Sequence, residues 1–387
     1  MVILIMNEAY LPGWKMGGPV RSLSALVEAL GDEFHFKVVT RDRDFKEKQS
    51  YPDLEPDRWH RVGKADVLYL SPKNLTLRSL QKVISEAAPQ VLYLNSFFSP
   101  CFTIKPLVLR WLKRIPQTGV VLAPRGELSQ GAMSLKSLKK HLFLALAKSM
   151  GLYDKVTWHA TSDPECADIS RRMKSSQVVL APVLSSLSTE AAGPLRQQAP
   201  KAPGQLKAVF LSRVSRMKNL TRALQVLQGL SGNFEFNIYG PIEDAQYWSE
   251  CEKIIRTLPP NIRVSYKGTV LPDRVVSVLQ EHHLFLFPTL NENFGHVIAE
   301  AFAAGCLVLT SNNTPWRNLA DKGVGWDLPL DRFDLFQDAL RECLQLGQAA
   351  FDARSARARL MVRDCTNVDE LGERYRRKFR AARTETQ

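Results

Sequence analysis

Short apolar runs of strand length alternate with helically spaced stretches through the first half of the chain. Residues 2–6, 36–40, 91–94, 120–123 and 156–160 read as strands. Between them, residues 20–30, 75–85, 104–113 and 135–150 place apolar side chains three and four apart, the spacing of a helix with one buried face. This alternation predicts a parallel sheet flanked by helices. From 185 to 205 the periodicity gives way to Ser, Ala, Gln and the prolines 194, 200 and 203, the composition of a linker. The pattern then restarts, with strands expected at 208–212, 234–239, 264–266, 284–287 and 307–310, so a second doubly wound domain follows the first. Residues 367–383 close the chain as an amphipathic helix, with Val368, Leu371, Tyr375, Phe379 and Ala382 on one face and a basic outer face. Asn367 and Glu370 have the spacing of a capping box.

Length agrees with this division, since 387 residues exceed one ordinary core and suit two domains of about 150–200 residues. Hydrophobic residues at 45% and charged residues at 24% are the balance of a globular protein. No run is apolar enough to span a bilayer. Residues 1–6 lack a basic lead-in and reach Asn7-Glu8 at once, so they read as a strand and not as a secretion signal, and a cytoplasmic location is expected. The six cysteines, 101, 166, 251, 306, 343 and 365, show no paired spacing, against both a zinc site and a disulfide framework. The net charge of +13 is concentrated early: residues 1–186 carry 26 Lys and Arg against 17 Asp and Glu. Such a surplus suits nucleic acid, acidic lipid or a phosphorylated substrate, and composition does not choose among them.

The candidate chemistry lies mainly in the second domain. Glu292 stands in the loop after an apolar strand, and Glu300 follows inside a helix whose neighbours Val297, Ile298, Ala301 and Phe302 leave no polar face. A carboxylate on such a helix needs a partner. Arg213 and Lys218 sit between the end of the 208–212 strand and the next helix, where open α/β sheets bind ligands and where two cations with free amides can hold a diphosphate. In the first domain a loop with Gly17 and Gly18 follows the first strand, and adjacent glycines let backbone approach a ligand closely. Its glycine spacing is not that of the dinucleotide fingerprint.

With these residues in view the chain resembles, over essentially its whole length, the retaining glycosyltransferases that have the GT-B fold and an E-x7-E motif, the group 1 or family 4-like type. The resemblance implies two Rossmann-like doubly wound domains facing a cleft: an acceptor-binding domain at 1–186, a linker at 187–204, and a nucleotide-sugar domain at 205–364. A terminal helix at 365–387 would cross back onto the first domain. It gives Glu300 the ribose hydroxyls, puts Glu292 beside the donor sugar, and assigns the diphosphate to Arg213 and Lys218. Asn293, Phe294 and Gly295 would offer amides to sugar hydroxyls, Val270 would lie in the loop against the base, and Gly17 and Gly18 would approach the donor. The histidine expected after a first-domain strand is replaced by Asn95-Ser96-Phe97-Phe98, which leaves the donor's identity open.

Acceptor contacts fall on other strand ends. Asn95, Arg125, Glu127 and His159 are the candidates, with Arg125 suited to an acceptor phosphate and Glu127 to a hydroxyl. Ser162 and Glu165 read as a structural capping box. Asp42-Arg43-Asp44 looks like the metal-holding aspartate pair of the other glycosyltransferase fold, but with no third acidic ligand nearby it reads as a solvated loop, and neither a metal nor a cofactor is expected. The lysines of 135–150 read either as the solvated face of a packed helix or as a surface for anionic lipid. The function expected is transfer of a hexose-type sugar from a UDP- or GDP-linked donor to a polysaccharide, lipid-linked or lipopolysaccharide-type acceptor. The enzyme would work in the cytoplasm or peripherally on the inner membrane. A nucleotide-sugar epimerase of the same architecture is the enzymatic rival; a basic nucleic-acid-binding protein is the other, although no nucleic-acid module is present.

Overall fold

The computed structural model describes residues 1–134, 137–174, 177–184, 200–362 and 368–384. In chain order the first part comprises β1 (Val2–Met6), α1 (Gly18–Leu30), β2 (His35–Arg41), β3 (Trp59–Val62), β4 (Ala65–Leu70), α2 (Leu77–Ala87) and β5 (Val91–Asn95). It continues with α3 (Lys105–Trp111), β6 (Gly119–Ala123), α4 (Gln130–Ser134), α5 (Ser137–Ser149), β7 (Val156–Ala160), α6 (Asp163–Met173) and β8 (Val178–Leu180). The second part holds β9 (Gln205–Leu211), α7 (Leu220–Gln225), β10 (Asn233–Tyr239), α8 (Ala245–Ile255), β11 (Ile262–Tyr266), α9 (Val275–Gln280) and β12 (Leu284–Phe287). Then come α10 (His296–Ala303), β13 (Leu307–Ser311), β14 (Gly325–Leu328), α11 (Phe333–Gln345), α12 (Gln348–Met361) and finally α13 (Val368–Thr384). Contacts divide the chain into two compact units, Met1–Ser186 with Asn367–Gln387, and Leu187–Thr366.

The first unit is an eight-stranded sheet ordered β3-β4-β2-β1-β5-β6-β7-β8, parallel except for β3, which pairs antiparallel with β4. Its strands β1, β5 and β6 are apolar on both faces because both faces are covered. Leu4 and Met6 of β1 join one core with Leu92, Leu94 and Leu122, while Ile3 and Ile5 join the other with Phe36, Tyr93 and Val121. α13 completes that second core with Tyr375, Phe379 and Ala382, so the terminal helix packs on the first unit although it follows the second in the chain. Its approach is close: a Cβ at Gly119 would stand 2.1 Å from the carbonyl oxygen of Ala382, so β6 starts with the one residue that leaves room. The second unit is a parallel six-stranded sheet, β11-β10-β9-β12-β13-β14, around a single core.

Several elements depart from the sequence expectation. The 135–150 helix is two, α4 and α5, with residues 135 and 136 outside those described. Strands β3, β4, β8 and β14 were not expected. The β4 run is broken in sequence by Asp66, which in the fold sits 2.7 Å from His35 Nε2 and 3.2 Å from Arg61 Nη1. Asp42-Arg43-Asp44 is not a solvated loop: both carboxylates are buried, and Asp44 accepts hydrogen bonds from the amides of Trp14 (2.9 Å), Lys15 (3.1 Å) and Phe45 (2.7 Å). Most of the expected linker, 185–199, lies outside the described residues, as does Asn367 of the expected capping box. The described end of that linker is no free spacer. Lys201 is buried and donates to the carbonyls of Leu344 (3.0 Å) and Leu346 (2.8 Å) at the carboxyl end of α11, where a cation complements the helix dipole. Among the described residues no helix is long and apolar enough to cross a membrane.

Candidate active site

In the second sheet the strand order reverses between β9 and β12, and ligands of open α/β sheets bind outside the carboxyl ends of the strands at such a point. The segment leaving β9 is held from both sides. On one side, Val214 N donates to Pro241 O (2.9 Å) and Glu243 N to Val214 O (3.2 Å), in the loop after β10. The two loops pass so closely that a Cβ at Gly240, where φ is 131°, would lie 1.9 Å from Ser212 O, so only glycine fits. This lacing sets Arg213 against Glu243, with Nη1 2.8 Å from Oε2.

On the other side the partner is the loop after β12. Leu290 N donates to Met217 O (2.9 Å), Thr289 Oγ1 to the same oxygen (3.1 Å), and Asn219 Nδ2 to Pro288 O (2.9 Å). Lys218 is thereby brought to Glu292, and their side chains, 15% and 13% exposed, form a direct ion pair. The Phe287 ring centroid lies 5.6 Å from the ammonium. Glu292 is itself placed by its amide, which donates to Asn313 O (3.1 Å) in the loop after β13. Loops from four adjacent strands therefore converge here, and each of the two cations faces one carboxylate.

Glu292 leads directly into α10. Gly295 caps the helix in a left-handed conformation, with φ 77°. The preceding carbonyl, of Phe294, accepts a hydrogen bond from Trp316 Nε1 (2.6 Å), and the Phe294 ring packs on Trp316 and His296. Helix geometry leaves the first-turn amides of α10 outside its own ladder, at the positive end of its dipole. One turn on, Glu300 is 5% exposed among the buried Ile298, Ala299, Ala301 and Phe302. Val270 packs against the core from the loop between β11 and α9, which is tied to the β10 loop by Gly240 N donating to Gly268 O (2.8 Å). Sequence reasoning named both cations but not Glu243, Asn219, Thr289 or Trp316. Glu243 had a signal, since Gly240-Pro241-Ile242-Glu243 follows a strand just as Arg213 does.

In the first unit the order reverses between β1 and β5. Gly17 caps α1 with φ 72° and open space on its Cβ side, and Gly18 begins the helix. Asn95 is buried at the end of β5, where its Oδ1 accepts from Arg125 Nη2 (2.7 Å) and Nε (3.1 Å). Arg125 also donates to the Tyr93 hydroxyl (3.2 Å), so its guanidinium is fixed at the strand ends while remaining part-exposed. Glu127 is committed inward. Its Oε2 accepts from Phe97 N (2.6 Å) and Phe98 N (2.9 Å), and Ser96 Oγ donates to its Oε1 at 3.0 Å. Burial pushes its pKa up, against the pull of those amides. His159, expected to contact an acceptor, is instead a core residue. Its Nε2 donates to Ala181 O (2.8 Å), and its Nδ1 is 2.8 Å from the Tyr93 hydroxyl and 3.2 Å from Lys378 Nζ, which leaves no ring atom for a ligand. Ser162 does cap α6, but Glu165 reaches past the cap to Thr161 N (2.8 Å) and Gly126 N (2.7 Å), anchoring the Arg125 loop.

Residues 191–355 match the family model "Glycosyl transferases group 1". No curated protein matches the sequence significantly. Among solved structures, sucrose-phosphate synthase from Thermosynechococcus elongatus superposes with a TM-score of 0.70 at 17% identity, over 98% of this chain and 100% of that one. Anabaena HepE, solved in complex with UDP and glucose, gives 0.68 at 15% identity over 98% and 100%. WaaG, a glycosyltransferase involved in lipopolysaccharide biosynthesis, gives 0.65 at 14% over 96% and 98%. At these identities the likeness is one of fold. Residues 191–355 are thus similar to the group 1 glycosyl transferases, and the chain has the GT-B fold of two Rossmann-like domains.

Proposed function

We propose that the protein is a retaining glycosyltransferase that takes a hexose-type sugar from a UDP- or GDP-linked donor. It passes the sugar to a glycan or lipid-linked acceptor of the polysaccharide or lipopolysaccharide type, in the cytoplasm at the inner face of the membrane. The second domain holds the donor and the first the acceptor, with no cofactor beyond the nucleotide sugar. The observation that carries this reading is the pair Arg213 and Lys218, fixed by backbone lacing at the switch point of the second sheet.

In the reaction the bond from the sugar's anomeric carbon to the diphosphate oxygen breaks, and its electron pair stays on the diphosphate. The acceptor oxygen bonds to the same carbon on the same face, and its proton passes to the departing diphosphate. Negative charge grows on the leaving group, and two preorganised cations lower the barrier there. Glu300 anchors the ribose, Asn293, Phe294 and Gly295 present the start of α10 to the sugar, and Val270 borders the base. Glu292 lies beside the sugar, and Arg125, seated by Asn95, takes an anionic group of the acceptor. The support from relatives is that HepE was solved with UDP and glucose and that WaaG acts in lipopolysaccharide biosynthesis.

A thermal-shift panel of nucleotide sugars tests the reading, because a ligand that binds the native state alone raises its melting temperature. One UDP- or GDP-sugar is expected to stabilise the protein, and Glu300→Gln to lose that shift. With that donor, Arg213→Ala combined with Lys218→Ala should lower kcat by about 10²–10³-fold, and EDTA should leave turnover unchanged. Undiminished transfer by the double variant would falsify the mechanism.

A further inference from the structure

The outward face of α5 is apolar. Leu138, Leu142 and Leu146 are 82%, 60% and 55% exposed and recur every four residues, with Met150 continuing the stripe just beyond the helix. The opposite face does the packing, through buried Leu144 and Ala147 and half-buried Phe143. A surface helix normally turns its polar side to water, and isolated exposed leucines are ordinary, but a row of four on one crest is not.

Charge around this crest is mainly positive, with Asp154 exposed in the loop that follows α5. Between Glu86 and Asp154 the sequence has nine Lys and Arg and a single acidic residue, Glu127, which is turned inward onto the amides of Phe97 and Phe98. Lys139 and Lys148 of α5 stand exposed, and Lys148 donates to Arg172 O (2.7 Å) at the basic end of α6. At the far end, Arg110 donates to Asp154 O (2.8 Å) and Lys155 O (3.3 Å), tying the tip of α3 to the loop that follows α5. That tip carries exposed Trp111, Leu112, Lys113 and Arg114.

We propose that α5 lies in the surface of an anionic bilayer, with Leu138, Leu142, Leu146 and Met150 inserted among the acyl chains and the surrounding lysines and arginines on the headgroups. Leucines among cations are what an interfacial helix requires. A second copy of the chain fits this face less well, since it would bring two basic rims together where an anionic surface neutralises them. The proposal rests on the placement at the membrane proposed for the enzyme but is separate from the donor chemistry of the second unit, so its failure would leave the glycosyl transfer itself standing.

The test is sedimentation of the full-length protein with vesicles of phosphatidylcholine alone or with about 30% phosphatidylglycerol. The wild type is expected to bind the anionic vesicles, and hydrogen exchange should slow in α5 when they are added. The triple variant Leu138→Ser, Leu142→Ser, Leu146→Ser should lose vesicle affinity by about tenfold or more. Its melting temperature and its donor-induced thermal shift should be unchanged. Lys113→Gln, Arg114→Gln, Lys139→Gln should lose only the preference for the anionic lipid. Wild-type protein that stays in the supernatant with anionic vesicles overturns the proposal. So does a serine variant that binds as well as wild type, or one whose only change is from dimer to monomer with exchange in α5 indifferent to lipid.

Discussion

The carboxylate of Glu292 occupies the ammonium of Lys218, which in the proposed reaction would meet the departing diphosphate. In the ligand-free protein Lys218 is paired with Glu292, and Arg213 with Glu243, all within loops laced by backbone hydrogen bonds. Each pair keeps its cation in place, and each must be shared or loosened when an anion arrives. The two differ in burial, the Lys218 pair being the more enclosed, so competition there should be the more costly. Replacing Glu292 by Gln removes the competing charge and keeps the shape. Affinity for the free nucleoside diphosphate should then rise by about fivefold, roughly 1 kcal/mol, while turnover of the nucleotide sugar falls. Titration calorimetry with UDP and GDP reads the first effect and steady-state rates the second; weaker diphosphate binding in the variant would show that Glu292 only positions Lys218.

At the scale of elements, what could be read in advance was whatever the sheets bury on both faces. β1, β6 and β12 are continuous apolar runs, and β5 and β13 are apolar up to their last one or two residues, because neither face meets water. The edges were harder. β3 and β4 mix charge into their pairing, β8 and β14 have three and four residues, and Asp42 and Asp44 look solvated until the loop at 13–15 folds over them. In the site, Arg213, Lys218, Glu292 and Glu300 could be picked out because each stands beside an unmistakable strand or helix. His159 misled for the same reason, being polar at a strand end yet enclosed by α13, an element more than 200 residues away in sequence. That docking depends on Gly119. Gly119→Ala would press a methyl group onto the Ala382 carbonyl, and should cost about 2–4 kcal/mol in urea unfolding of the first unit. Limited proteolysis should then cut α13 first. Wild-type stability in this variant would mean that β6 and α13 can separate without loss.

For the molecule as a whole, the return of α13 has an electrostatic cost. Lys378 is buried, 3.8 Å from the Tyr375 ring centroid, 4.5 Å from that of Tyr93 and 4.6 Å from that of Phe379, with Nζ 3.2 Å from His159. Arg125 adds a like charge from the end of β6, and Glu165 on α6 is the acidic group of the surroundings. Burial first, and then Arg125, holds the Lys378 ammonium well below its ordinary pKa; burial, followed by Lys378 and Arg125, does the same to His159. Both groups therefore bind fewer protons folded than unfolded. Stability must rise with pH wherever the unfolded chain still carries the extra proton, by up to about 1.4 kcal/mol per pH unit for each group. For His159 the loss comes as pH falls below about 6.5; for Lys378 the gain runs up toward about 10.5. The buried thiols of Cys251 and Cys343, pushed up to about 12 by burial, and of Cys306, raised further, oppose folding once unfolded cysteines ionise near about pH 8.5, and buried Tyr93 and Tyr375 do so near about pH 10, so the useful window is about pH 7 to 8. Lys378→Met keeps the length and removes the charge. It should raise the melting temperature at pH 7 by a few degrees, about 1 kcal/mol or more, and flatten the rise expected of the wild type between about pH 7 and 8. A lower melting temperature for Lys378→Met at pH 7 would mean that the three rings stabilise a charged ammonium by more than its burial costs, and that the terminal helix is held to the first unit by that cation.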